Sequence, residues 1–211
     1  MDLDRLAHEC NDLPIFPLGG AVLLPGAVLP LHVFEERYRR MLSDVVAGTG
    51  LMGIATVTES EGQPTPVHPV MGIGMVVAHQ LLPDGRSDIL VQYVGTLRVS
   101  EEHPTMGLPY RRVQGCLMNL DAGSPTAEQI ASLRHLLWQL ATASEVASEE
   151  VTKLTDLRGE AFVDGLARRV LPGVTQRLCY LEASSWSERT RLLEDALATY
   201  VLALLPTAGD G

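Results

Sequence analysis

The residues with the greatest chemical reach are few and scattered. The 211 residues include six histidines, three cysteines and one lysine. His32, His68, His79, His103 and His135 stand far apart. His8 opens His8-Glu9-Cys10-Asn11-Asp12, which lacks the second histidine of a helical HExxH zinc site. Cys10, Cys116 and Cys179 form no CxxC pair, so the reading is three reduced thiols in a cytoplasmic protein, with no metal or other cofactor. Lys153 lies in "VTKLT" with no glycine before it, so the chain has no Gly-Lys-Ser/Thr phosphate loop. A Ser–Lys dyad would have to use that same lysine. "GIGMVV" (72–77) sits inside a strand-like run and no helix follows. It fails as a dinucleotide fingerprint and indicates instead a place where two backbones approach closely. "GRSDI" (85–89) lacks the second glycine of a nucleophile elbow. A hydrolase would need a nucleophile within hydrogen-bond reach of a histidine, and nothing in the sequence places one.

Two charged groups remain. Arg111-Arg112 has the charge to grip an anion, but such pairs commonly sit at strand edges. Glu35, Glu36 and Arg37 suit the first turn of a helix, where carboxylates complement the dipole. The net charge of -10 is evenly spread, with 8 basic and 13 acidic residues in 1–120 and the same numbers in 121–211. An acidic surface of this kind repels phosphate backbones, so nucleic acid is disfavoured as a partner. No segment is apolar enough to be a membrane span: the apolar run over 186–205 carries Glu188, Arg189, Arg191, Glu194 and Asp195.

The elements that must position these residues fall into two halves. Residues 13–18 and 27–33 are short β-prone runs interrupted by proline, which belongs at edges, bulges or strand starts because it has no N–H to donate. Phe34, Tyr38, Met41, Leu42 and Val45 share one face of a helix over 34–47, closed by Gly48 and Gly50. Strands follow over 51–58, 70–82, 88–100 and 110–120. "PDGRS" makes a hairpin of the middle pair, and a polar, proline-rich loop covers 59–69. From residue 121 the periodicity turns helical. Thr126 and Gln129 form a capping box ahead of the Ile130, Leu133, Leu137, Leu140 stripe. Further helices cover 162–171 and 174–183, and a last one is capped by Ser185 and Glu188 and ended by Pro206. Strands followed by helices predict an α+β fold, divided into 1–120 and 121–211.

The stretch from Pro17 to Leu42 resembles the start of the LON domain, the substrate-binding domain at the N-terminus of ATP-dependent Lon proteases. The matching residues are Pro17-Leu18, Val22-Leu23-Leu24-Pro25-Gly26 and Pro30-Leu31-His32-Val33-Phe34-Glu35-Glu36-Arg37-Tyr38. "LPDGRSDILVQYVGTLRV" is similar to the family's hairpin, with Gly95 and Arg98 in its Gly-x-x-Arg step. Gly19-Gly20-Ala21 and Leu24 depart from the family's usual charged and aromatic residues. The resemblance implies a PUA-like β-barrel followed by a C-terminal helical bundle. It also implies a non-catalytic module that binds unfolded or degradation-prone polypeptides, with a protease or chaperone as a further partner. The chain ends at Gly211 with one lysine, so a stand-alone LON-domain protein without ATPase or peptidase is expected. RNA binding, a use of other PUA-like barrels, is the alternative. The apolar ribbon over 17–34 either packs as core or lines a groove. Leu24, Pro25, Val28, Leu29 and Phe34, with Tyr93 beside them, are the candidate peptide-binding residues.

Overall fold

The computed structural model describes residues 3–58, 65–104, 107–120, 123–144 and 148–204. The chain divides into two compact units, Met1–Asn119 and Leu120–Gly211. The polar loop expected over 59–69 falls mostly outside the described residues, as does Pro206.

The first unit is a mixed structure on a six-stranded sheet. Its elements are α1 (Leu3–Glu9), β1 (Leu13–Leu18), β2 (Val28–Val33), α2 (Glu36–Ala47), β3 (Leu51–Thr56), β4 (Val70–Leu81), β5 (Ser87–His103) and β6 (Arg112–Met118). The strand order is β2-β5-β4-β3-β1-β6, and β6 also pairs with β5. The pairings β5–β4–β3–β1–β6–β5 therefore close a ring, and β2 is added outside it. One long strand makes this possible. Residues 87–92 of β5 pair with β2, and residues 96–103 of the same strand pair with β6.

β1 and β3 read as nearly continuous apolar runs because both of their faces are buried. Phe16, Met52 and Ile54 enter one apolar cluster, and Ile15, Leu51 and Ala55 enter another. α2 closes over the first cluster with Tyr38, Met41, Leu42 and Val45, the stripe that its periodicity predicts. Phe34 departs from that stripe. Glu35 is the N-cap, in extended backbone, so Phe34 precedes the helix and the i, i+4 relation does not apply to it. Its ring is 60% exposed and stacks on His32, with 6.2 Å between ring centroids.

The loop from β1 to β2 explains the glycines of "GIGMVV". A Cβ on Gly72 would meet the Leu23 carbonyl, and one on Gly74 would meet the Val91 side chain. Gly72 is the close backbone approach that the motif predicts, whereas Gly74 makes room for side chains. "PDGRS" turns the chain between β4 and β5, with Gly85 at φ 80°. The Asp84 carboxylate accepts from Arg86 N–H at 3.0 Å and Arg86 Nε at 2.6 Å. The periodicity of residues 1–12 gives no hint of α1, which buries only Leu6.

The second unit is helical: α3 (Ala127–Ser144), α4 (Ser148–Thr155), α5 (Gly159–Val170), α6 (Val174–Glu182) and α7 (Trp186–Leu204). The capping box forms, with Thr126 N–H donating to Gln129 Oε1 at 2.8 Å and Gln129 N–H donating to Thr126 Oγ1 at 3.2 Å. Leu133, Leu137, Phe162, Leu166, Leu193 and Leu197 supply the core. A buried charge sits among them. Arg189 Nη1 lies 3.3 Å from Asp164 Oδ1, and its guanidinium stacks over Tyr180 and Trp186. Tyr180 Oη donates to the same carboxylate oxygen at 2.6 Å. Burial pushes the Asp164 carboxyl above its ordinary range, against the lowering effects of Tyr180 and Arg189.

Candidate functional site

Two hydrogen bonds assign the backbone of β2. Tyr93 N–H donates to the Ala27 carbonyl, which makes Leu29, Leu31 and Val33 the residues that exchange bonds with β5. Leu82 N–H donates to the Arg86 carbonyl, so Asp88 and Leu90 bond the other way, to β4. Val28, Pro30 and His32 therefore direct their backbone groups away from β5. Pro30 occupies an outward position where its missing N–H leaves no gap in the ladder, as the proline-broken run predicts.

Alternation then sorts the side chains. Leu29, Leu31 and Val33 lean on the apolar cluster under α2. Val28, Pro30 and His32 face outward, opposite Gln92, Leu90 and Asp88 in register. Leu90 in turn pairs with Ala78 and Asp88 with Gln80, so this outer surface crosses three strands. It holds a shallow hollow of about 480 Å³ lined by Pro30, His32, Ala78, Gln80, Asp88 and Leu90, among others. Val28 is 51% exposed and Leu90 41%. On this surface His32 Nδ1 lies within hydrogen-bond distance of Asp88 Oδ1, at 2.7 Å.

The six candidates named from the sequence are divided by the sheet. Val28 and Phe34 are exposed on or beside the outer surface. Leu29 and Tyr93 are half-buried against the inner cluster, and Tyr93 Oη shares a 2.9 Å hydrogen bond with Thr96 Oγ1. Leu24 and Pro25 are buried, Leu24 at 3% exposure, so their side chains present no surface. The structure instead gathers Pro30, Ala78 and Leu90 around the hollow, with Val28 on the same outward row as Pro30. Their signal in the sequence is the period-two set Val28, Pro30, His32, but finding Leu90 and Ala78 requires the strand register.

The other chemical candidates are already engaged. Arg111 grips Glu102 through Nε at 2.7 Å and Nη2 at 2.6 Å, and Arg112 Nε is 2.6 Å from Asp12. Arg37 pairs with Glu35 and stacks over Tyr38. A hydroxyl does lie within reach of a histidine: Ser87 Oγ is 3.0 Å from His79 Nε2. Ser87, however, is 4% exposed, and no carboxylate among the described residues holds the other nitrogen of His79. The pair ties one strand of the hairpin to the other. No group of three potential metal ligands occurs among the described residues, and no described helix is long and apolar enough to cross a membrane.

A family model described as the ATP-dependent protease La (LON) substrate-binding domain matches residues 12–200. The chain belongs to the LON substrate-binding domain family. Lon protease 2 of Bdellovibrio bacteriovorus is 22% identical to this LON domain over 202 residues, which is 92% of the chain and 25% of that relative. A Lon protease of Dictyoglomus thermophilum is 31% identical over 91 residues, or 42% of the chain and 12% of that relative. The LON domain thus spans a quarter or less of these curated relatives. Two solved structures share its fold. A Lon N-terminal domain protein from Xanthomonas campestris has a TM-score of 0.64 at 20% identity, and the N-terminal domain of a Mycobacterium avium complex Lon protease has 0.65 at 19%. Each comparison covers 89% of this LON domain and 98% of the other chain.

Proposed function

We propose that this chain is a non-catalytic polypeptide-binding module that recognises unfolded or degradation-prone segments. In this reading residues 1–120 form the PUA-like barrel subdomain, which the ring of strand pairings supports, and residues 121–211 form the helical subdomain. The observation that carries it is the apolar outer surface of Val28, Pro30 and Leu90, with Phe34 beside it, in a chain of a substrate-binding family. Exposed apolar surface next to an open strand edge offers an extended polypeptide both contact area and backbone partners.

The setting of the one lysine supports the non-catalytic reading. Lys153, the one lysine of the 211 residues, is exposed and paired with Glu149 at 2.7 Å, so it activates no serine. The module needs no cofactor. Its setting is cytoplasmic, where the free thiols Cys10, Cys116 and Cys179 stay reduced, and its further partner is a protease or chaperone that receives the bound segment. An array of overlapping peptides from an unfolded client tests the reading. Binding concentrated on apolar segments supports it, and no binding at high micromolar concentration overturns it. A gel shift with RNA that fades as salt rises would favour the alternative, an RNA-binding protein.

A further inference from the structure

Among the described residues β5 is the only strand paired with β2, so the other edge of β2 is open. The N–H groups of Val28 and His32 and the carbonyls of Val28, Pro30 and His32 point out of that edge, because Leu29, Leu31 and Val33 bond to β5. Exposed edge strands are ordinarily blunted by short length, charge or an edge proline. β2 carries one such device, Pro30, which still leaves two outward donors, Val28 and His32, and three outward carbonyls. It reads Val-Leu-Pro-Leu-His-Val, apolar on both faces except at His32. The second open edge nearby, Ala78–Leu81 at the far end of β4, carries His79 and Gln80 and lacks this double apolar character.

A strand laid against β2 would set one alternate row of side chains beside Leu29 and Leu31. The other row would lie beside Val28 and Pro30, next to the hollow. The matching occupant is apolar at consecutive positions, a pattern that a folded protein keeps in its interior. Pro30 argues against a second copy of this chain. In the antiparallel self-pairing centred on Pro30 the two prolines face each other and neither has a donor. Charge narrows the choice further. The chain carries -10, and two carboxylates lie by the end of β2: Asp88, held by His32, and Glu36 in the first turn of α2. An occupant with acidic flanks would be repelled.

We infer that the outer edge of β2 takes up an extended polypeptide segment, apolar at consecutive positions and flanked by neutral or basic residues, by adding it to the sheet as a further strand. This deepens the polypeptide-binding reading and rests on it. Backbone bonding separates the two ideas. The probe is a fluorescein-labelled peptide with a central run of Val, Ile and Leu between lysines, compared with versions N-methylated at one central residue at a time. Strand addition predicts a period of two: methylation at alternate positions weakens binding about five- to tenfold, and methylation between them has little effect. Val28→Pro, which removes an outward donor, weakens the unmethylated peptide by a similar factor. Replacing the lysines with glutamates weakens it as well. A peptide that binds equally well whichever residue is methylated overturns strand addition and leaves the broader reading standing. No binding by any form of the peptide overturns both.

Discussion

The Leu23 carbonyl crosses β4 at Gly72, in the space that a Cβ on that residue would fill, with Leu23 Cβ only 2.8 Å from the same point. This crossing seats the proline-broken ribbon on the sheet and delivers the chain to the start of β2. The obstacle is backbone, which cannot rotate aside as a side chain can. Gly72→Ala is therefore expected to destabilise the protein by about 1–3 kcal/mol, as overpacking does. Gly19, in the same ribbon, has nothing within 4 Å of its Cβ position. Gly19→Ala should stay within about 0.5 kcal/mol of the parent. Urea unfolding of the two variants checks both values.

Asp44 and Tyr110 give the first unit an acid-sensitive tie. Tyr110 Oη donates to Asp44 Oδ2 at 2.8 Å, and this bond is the main reason that the carboxyl sits below its usual range, with Arg40 adding to it. A carboxylate depressed in the folded state stabilises the fold above its unfolded pKa, and that contribution is lost as pH falls through the folded value. Tyr110→Phe is expected to lower stability by about 1 kcal/mol at neutral pH. The gap between variant and parent should narrow as pH falls below about 4. Denaturant melts across that range would show it, and a gap that does not change with pH would separate the bond from the carboxylate.

In the second unit, Arg189 pairs with Asp164 at 3.3 Å, and Tyr180 and Arg168 also favour its ionised form. Arg189→Met removes the paired charge from a buried carboxylate and is expected to cost about 3 kcal/mol, the low end for a broken buried pair because Tyr180 and Arg168 remain. The folded Asp164 pKa is already raised by burial, and losing Arg189 raises it further. The penalty should therefore be largest at neutral pH and shrink as Asp164 takes up a proton. The double variant with Asp164→Asn should recover most of the loss. Thermal melts of the three proteins at two pH values test this.

The thiols should divide by burial. Cys116 and Cys179 are exposed, whereas Cys10 is buried and its pKa is pushed up to about 11, chiefly by desolvation. At pH 8 a thiol with that value is ionised only to about one part in a thousand, and the thiolate is the reactive form. Iodoacetamide followed by mass spectrometry is expected to modify Cys116 and Cys179 in the folded protein, and Cys10 only after denaturation.

What could be read from the sequence was what depends on near neighbours. The α2 face from Tyr38 to Val45, the Thr126–Gln129 box and the turn at Gly85 rest on local spacing, and each formed where the spacing put it. Phe34 fits the same helical period but lies before the N-cap, because nothing in a periodic pattern says where a helix begins. The ribbon could not be sorted into core and surface. Leu23 and Leu24 lie in a loop without a period, and both are buried, whereas Val28 is exposed through alternation. Leu90 and Ala78 join Pro30 only through the β2–β5–β4 register, and pairing between strands distant in sequence is not written in any single segment. The open edge of β2 is a property of the whole sheet.

The most direct measurement is fluorescence anisotropy of one labelled protein offered in two states, native and reduced-carboxymethylated, to the full chain. The account predicts micromolar binding of the unfolded state and none of the native one. It further predicts a loss of about tenfold or more when Leu90→Asp or Phe34→Asp is introduced without change in the fold. Equal binding of both states, or no binding of the unfolded state at high micromolar concentration, would contradict it.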